Sequence, residues 1–219
     1  MLFMFKQQGK GRMITLYGVP RSRSLRVSWT LEELGLEWEY QFINFSKGDS
    51  RHPDFLAVNP CGKVPALIDN GNVITESAAI AVFLAEKYGE GRLLPKAGSD
   101  ASALHHQWIS FITNELEQPL WSIGKHKFAI PEELRLEAMF TVAKWEFDKA
   151  AAIAEQWLPD TPFLLGAEIS VADILLAQTL MWATRFEQDI PPKLAAYRDR
   201  ITARKAMASA LKKEEACAV

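Results

Sequence analysis

The chain has 219 residues, with 25 lysines and arginines against 27 aspartates and glutamates. At roughly 100–200 residues per domain this is one large domain or two small ones, and a hydrophobic share of 48% suffices for a sizeable core. A net charge of −2 gives no electrostatic footprint for nucleic acid, and two cysteines far apart in sequence, Cys61 and Cys217, exclude a disulfide scaffold and a four-cysteine metal site.

Met1–Phe5 is apolar but too short for a signal-peptide core, and Lys6, Lys10 and Arg12 stand on its wrong side. Residues 1–12 therefore read as a disordered extension ahead of a second methionine, Met13. No later stretch reaches the ~18 uncharged apolar residues of a membrane span, and a reducing cytoplasm is the simplest compartment.

From Met13 onward, strand and helix signals alternate. Met13–Tyr17 is a short apolar strand. Ser24–Leu34 sets Val27, Leu31 and Leu34 on one helical face, and Gly35 stops it. Glu37–Ile43 alternates Trp38, Tyr40 and Phe42 with Glu37, Glu39 and Gln41, the period of a half-buried strand. A short helix is expected at Pro53–Val58. Ala66–Ile68 and Val73–Ile74 flank Asp69-Asn70-Gly71-Asn72, a hairpin signal because Asn-Gly tolerates positive φ. Glu76–Tyr88 closes the unit as a helix, with Ile80, Phe83, Leu84 and Tyr88 inward. The order is β-α-β-(α)-β-β-α.

Gly89, Gly91, Pro95, Gly98 and Ser99 then mark a linker, and strand signals cease. Leu104–Ile123 spaces Trp108, Phe111, Ile112, Leu116 and Leu120 as a helix. Pro131–Trp157 reads as one long helix with Leu134, Ala138, Val142, Trp145 and Ile153 inward. Ser170–Thr184 opens on a capping box of Ser170 and Asp173, with Ile169 and Ile174 as a hydrophobic staple. Pro191–Ala210 supplies one or two further helices. The division expected is an α/β unit at 13–90, a linker at 91–101 and an all-α unit at 102–219.

Four segments carry a resemblance. "LYGVPRSRSLRVSWTLEELGL" at 16–36, "NPCGKVPAL" at 59–67, "ITESAAIAVFLAEKY" at 74–88 and "FLLGAEISVADI" at 163–174 resemble, in order and spacing, the cytosolic glutathione transferases of the serine type. They correspond to that family's active-site turn, cis-proline segment, Glu-Ser turn and core-helix cap. The resemblance implies a thioredoxin-like N-terminal domain, an all-α C-terminal domain, glutathione as co-substrate with no metal, and a homodimer.

The residues can also be read for their chemistry. A redox thioredoxin would carry C-x-x-C where this chain has Arg21-Ser22-Arg23-Ser24. Serine forms no disulfide, but its hydroxyl can donate to a bound thiolate. A thiol of pKa ~8.5 is only about 3% ionised at pH 7, and lowering it by ~2 units, worth ~2.7 kcal/mol, makes it mostly thiolate. The spacing from Leu16-Tyr17 matches Ser22 to the family's activating hydroxyl. Ser24 is the alternative, and the plainer reading is that both serines are ordinary turn and cap residues. Tyr17 lies within a strand and reads as structural. Arg26 is matched in many serine-type members, where it would hold the turn or raise the local potential.

By the same resemblance, Pro65 follows a cis bond and the Val64 backbone pairs with the cysteinyl backbone of glutathione. Glu76 meets the γ-glutamyl ammonium and Ser77 its carboxylate. The glycyl carboxylate falls to Lys63 and Arg51, ahead of Ser50 and His52. Cys61 reads as a bystander and Asp173 as a folding cap. His105, His106 and His126 make no metal constellation. Trp108, Phe111 and Trp121 fit a helical core, and some are candidates for the co-substrate pocket. Peroxidase, dehalogenase or isomerase chemistry on the same site, and a non-catalytic interaction module, are the competing functions.

Overall fold

The computed structural model describes residues 13–218, so the extension expected at 1–12 lies outside the described residues. Four strands, β1 (Ile14–Gly18), β2 (Glu39–Phe42), β3 (Ala66–Asp69) and β4 (Asn72–Thr75), form one sheet in the order β2-β1-β3-β4. β1 runs parallel to β2 and antiparallel to β3, which pairs antiparallel with β4. The β3–β4 hairpin turns through Asn70 and Gly71, both at positive φ, as the Asn-Gly signal predicts.

Three helices cover the sheet: α1 (Ser24–Leu34), α2 (Pro53–Val58) and α3 (Ser77–Tyr88). Ile14, Leu16 and Leu67 pack with α1 and α3 into the main core. Ala66, Ile43 and Phe55 of α2 form a smaller cluster, with Tyr17 and Val64 against it. α1 ends on Gly35 at φ 66°, where the Gly35 N–H bonds the Glu32 carbonyl and the Leu36 N–H that of Leu31. Only a residue that accepts the left-handed region closes a helix this way without strain. The observed element order is the one read from the sequence, a thioredoxin-like sheet unit followed by helices.

Those helices are α4 (Asp100–Phe111), α5 (Glu117–Gly124), α6 (Ala138–Trp157), α7 (Val171–Arg185), α8 (Pro192–Thr202) and α9 (Lys205–Ala216). Ser99 caps α4 by accepting the Ser102 N–H. Trp108, Ile112, Leu116 and Leu120 are all buried. Their fixed spacing of four outruns a 3.6-residue turn, and the π-type turn at Ile112–Leu116 between α4 and α5 absorbs the excess.

α7 is the buried axis of the helical half, and its capping box forms as expected. Asp173 accepts from the Ser170 N–H at 2.7 Å, from the Leu164 N–H at 2.8 Å, and from the Tyr197 hydroxyl. The chain joining the two halves is tied to this point, since the Val171 N–H donates to the Leu93 carbonyl at 2.9 Å.

Pro131–Trp157 departs in two ways from the single helix expected. The segment is not one helix: Glu132–Leu134 is a single 3₁₀ turn, Arg135 is extended, and α6 begins only at Ala138. Its inward face is also different. Leu134, Ala138, Val142 and Trp145 are exposed, Trp145 to 64%, and Ile153 is half-buried. The buried face is Ala143, Phe147, Ala150, Ala151 and Ala154. Both stripes are apolar at helical spacing, and close packing selects the alanine stripe, whose small side chains let neighbouring helices approach.

Candidate active site

The strand register determines what meets what. Tyr17 pairs with Ala66, and Ala66 pairs with Thr75. The chain leaving β1, the chain entering β3 and the chain leaving β4 therefore lie side by side at one end of the sheet. They carry, respectively, the Arg21–Ser24 turn, the Val64-Pro65 segment and Glu76-Ser77. Three of the four resemblance segments thus converge.

α1 begins at Ser24, so the turn sits on a helix N-terminus, whose partial positive charge favours an anion. Ser24 is fully buried and its Oγ accepts the Val19 N–H at 3.3 Å. Ser22 is half-buried. Its hydroxyl donates to Ser24 Oγ at 2.9 Å and accepts the Ser24 N–H at 3.1 Å. Being polarised by that N–H makes it a better donor. Gly18 makes room for the pair, because a Cβ there would lie 2.7 Å from both Ser24 Cβ and the Tyr40 hydroxyl. Tyr17 packs its ring against Phe55 at 5.8 Å between centroids, and burial pushes its hydroxyl above the usual range.

The Val64–Pro65 peptide bond is cis. The loop before it is organised by buried Asn59, whose amide donates to the Lys63 carbonyl at 2.7 Å and whose oxygen accepts the Cys61 N–H at 3.1 Å. Gly62, at φ 62°, allows the Arg51 guanidinium to lie over the loop: a Cβ there would stand 2.8 Å from Arg51 Nη1. Arg51 and Lys63 are both exposed beside this segment. Cys61 and Cys217 are free and exposed. Among the described residues no group of three or more His, Cys, Asp or Glu could hold a metal ion.

Glu76 is exposed at φ 68°, a left-handed conformation that side chains resist and that concentrates at functional sites. Ser77 is buried and opens α3. Its Oγ accepts from Arg26 Nη1 at 3.2 Å, which leaves its own proton free for an anion. Arg26 is 1% exposed and joins both halves of the molecule. Nε donates to Gln178 at 2.6 Å and Nη2 to Thr179 at 2.7 Å, both on α7. Nη2 also forms a 2.5 Å ion pair with Glu117 of α5. Arg23 holds the other oxygen of Glu117.

Burial acts to raise the Glu117 carboxyl, but Arg26 and Arg23 outweigh it and hold it below the ordinary range. Two guanidinium groups therefore share one carboxylate, which leaves one positive charge beside Ser77 and the α1 N-terminus.

The helical half adds an aromatic wall. Arg23 lies between the rings of Trp121 and Trp182, at 5.0 and 4.7 Å from their centroids. Gly124 lets further rings gather, since a Cβ there would meet Phe186 at 3.1 Å, Trp121 at 3.2 Å and Phe128 at 3.4 Å. Of the aromatic candidates, Trp121 faces this wall. Trp108 is core, and Phe111 packs its ring, tilted by 50°, against Trp157 instead.

Sequence reasoning missed Glu117, Gln178, Thr179, Trp182 and Glu214. For Glu117, Gln178 and Thr179 the signal lies within an apolar run. Glu117 sits within the apolar run around Leu116 and Leu120, and Gln178-Thr179 interrupts the apolar α7; polar residues on a buried helix face ask for a partner.

The family model described as "Glutathione S-transferase, N-terminal domain" matches residues 12–86, and that described as "Glutathione S-transferase, C-terminal domain" matches 116–205. A zeta-class glutathione S-transferase of Euphorbia esula is 34% identical over 181 residues, which span 81% of this chain and 79% of that one. The crystal structure of a glutathione transferase from Methylococcus capsulatus is 31% identical, with a TM-score of 0.81 over 93% of this chain and 99% of that one. A Phanerochaete chrysosporium glutathione transferase solved with oxidized glutathione is 26% identical, with a TM-score of 0.81 over 94% and 98%. Fold, matched domains and relatives agree, and the chain belongs to the glutathione S-transferase family.

Proposed function

We propose that this transferase binds glutathione across the three converging segments and that Ser22 holds its sulfur as thiolate. The carrying observation is the Ser22–Ser24 pair at the start of α1: the outer hydroxyl is accessible and polarised, while the inner one is buried and occupied. On binding, the Ser22 proton turns from Ser24 Oγ to the sulfur and the Ser24 N–H stays on Ser22 Oγ. A hydrogen bond to a charged group contributes about 1.5–3 kcal/mol, enough with the helix N-terminus to lower the thiol pKa by ~2 units.

In this reading Val64 presents its backbone to the cysteinyl residue as an added strand would. Ser77 donates to the γ-glutamyl carboxylate, favoured by the excess charge of Arg23 and Arg26 over Glu117. Glu76 takes the ammonium, and Arg51 and Lys63 take the glycyl carboxylate. The thiolate attacks an apolar electrophile held against Trp121, Phe128 and Trp182, and a carbon–sulfur bond forms as the leaving group departs with its electron pair. The unit at 13–90 binds glutathione, and the helical unit from 102, across the linker at 91–101, supplies the wall. Exposed Val142 and Trp145 on α6 support a homodimer. Free cysteines suit the reducing cytoplasm. Among the described residues no helix is long and apolar enough to cross a membrane.

The test is a calorimetric titration with glutathione, alongside the thiolate absorbance of the complex, for wild type and Ser22→Ala. Binding is retained in both, and the apparent thiol pKa is about 1–2 units higher in the variant, which keeps the helix N-terminus but loses the hydroxyl. No binding by wild type at millimolar glutathione overturns the reading, and an unchanged thiolate signal in Ser22→Ala removes Ser22 from the role.

A further inference from the structure

The last helix supplies a buried acid that the chemistry above does not use. Glu214 of α9 is fully buried. One oxygen accepts the Ser28 hydroxyl of α1 at 2.7 Å, and the other accepts the backbone N–H of Arg21 at 3.2 Å. Arg21 is the residue before Ser22, and its φ is 61°. Its carbonyl is also held, by Trp182 Nε1 of α7 at 3.0 Å. Both backbone polar groups of Arg21 are thus bonded from the helical half, 161 and 193 residues away in sequence.

The groups facing Glu214 are Ser28 of α1, Arg21 of the turn, Tyr40 of β2, whose hydroxyl is pushed upward by burial and then by the Glu214 charge, and Glu215 on its own helix. The Arg21 guanidinium does not neutralise Glu214, because it pairs outward with Glu215 at 2.7 Å. Burial accordingly pushes the Glu214 carboxyl up to about 7. If α9 needed only an anchor on α1, an apolar residue would serve better than an unneutralised buried acid. What an apolar residue cannot provide is an acceptor for Arg21.

We infer that Glu214 is a positioning residue for the glutathione transferase reaction: together with Trp182 it fixes Arg21 in the left-handed conformation that aims the Ser22 hydroxyl at the sulfur. This rests on the role of Ser22 proposed above. Without the acceptor, Arg21 relaxes toward negative φ, which side-chain-bearing residues prefer, and Ser22 turns with it.

Glu214→Met keeps length and apolar packing but removes the acceptor. Glu214→Gln keeps it, with the amide oxygen on Arg21 and the amide N–H on Ser28. Arg204→Ala loosens α9 at its other end, where Arg204 pairs with Glu33 at 2.6 and 2.8 Å. In Glu214→Met the pKa of the bound thiol rises by about one unit and kcat at pH 7 falls by up to about tenfold, while Glu214→Gln restores both and Arg204→Ala moves neither. A wild-type thiol pKa in Glu214→Met, or an equal shift in Arg204→Ala, overturns the inference.

Amide exchange of Arg21 in the unliganded protein reads the clamp without glutathione. It quickens about tenfold or more in Glu214→Met and not in Arg204→Ala, and unchanged exchange in Glu214→Met overturns the inference. If wild type binds no glutathione while this exchange pattern holds, the reading of Ser22 fails and the clamp on Arg21 stands.

Discussion

Glu117→Gln tests the charge network that joins the two halves. Glu117 is 4% exposed, its partner Arg26 1%, and Arg23 holds its second oxygen. The amide still accepts one bond, but its N–H₂ then faces the other guanidinium, donor against donor. Two buried or half-buried cations are left without a counter-charge, and breaking a buried pair from one side costs about 3–5 kcal/mol. For a chain of this size each kcal/mol moves the melting temperature by about 2–4 °C, so the expected drop is about 6–20 °C.

The sign of the pH dependence follows from the carboxyl being held below its ordinary value. Its ionised form stabilises the fold above the unfolded value of about 4.3 and ceases to as pH falls through the lower folded value. Scanning calorimetry should therefore find a constant gap between wild type and variant from about pH 6 to 8, closing on acidification. Arg26→Ala should also cost less in the Glu117→Gln background than alone, a coupling of about 0.5–3 kcal/mol. A gap under 2 °C at pH 7, or one that widens as pH falls, refutes the reasoning.

Asp173→Ala removes a cap and strands the Ser170 and Leu164 N–H groups and the Tyr197 hydroxyl in the core. Urea denaturation is expected to show a loss of about 3 kcal/mol or more, and a loss under 1 kcal/mol contradicts that accounting. Sedimentation velocity should find twice the mass of one chain, with Trp145→Asp returning it to a single copy; a wild type of single mass rejects the dimer.

The sheet-bearing half was legible because its signals are local. The Asn70-Gly71 turn and Gly35 each specify a conformation within a few residues and appear as read, and the alternation at 37–43 forms its strand over the shorter span Glu39–Phe42. The capping box at Ser170 is local in the same sense. α6 was not legible because it carries two apolar stripes at one helical period. Choosing between them depends on how closely α5 and α8 pack against α6, which no window of a single helix contains.

The site divides along the same line. Apart from Arg51, the residues proposed to touch glutathione lie on three short segments that the strand register Tyr17–Ala66–Thr75 gathers, so the segments themselves nearly suffice to assemble them. The residues that shape the site come from elsewhere. Arg21 shows the difference most clearly: in the sequence it is a charged residue in a turn, and its guanidinium does go to solvent and Glu215. Its backbone is what Trp182 and Glu214 hold. Because a backbone N–H has no residue identity, no motif can announce that it will be bonded from 193 positions away. The trace left in the sequence is on the other partner, an acid at 214 on the stripe of Met207 and Ala210. A buried-face acid with no basic neighbour on its own helix face is therefore a cue to look for a distant backbone donor.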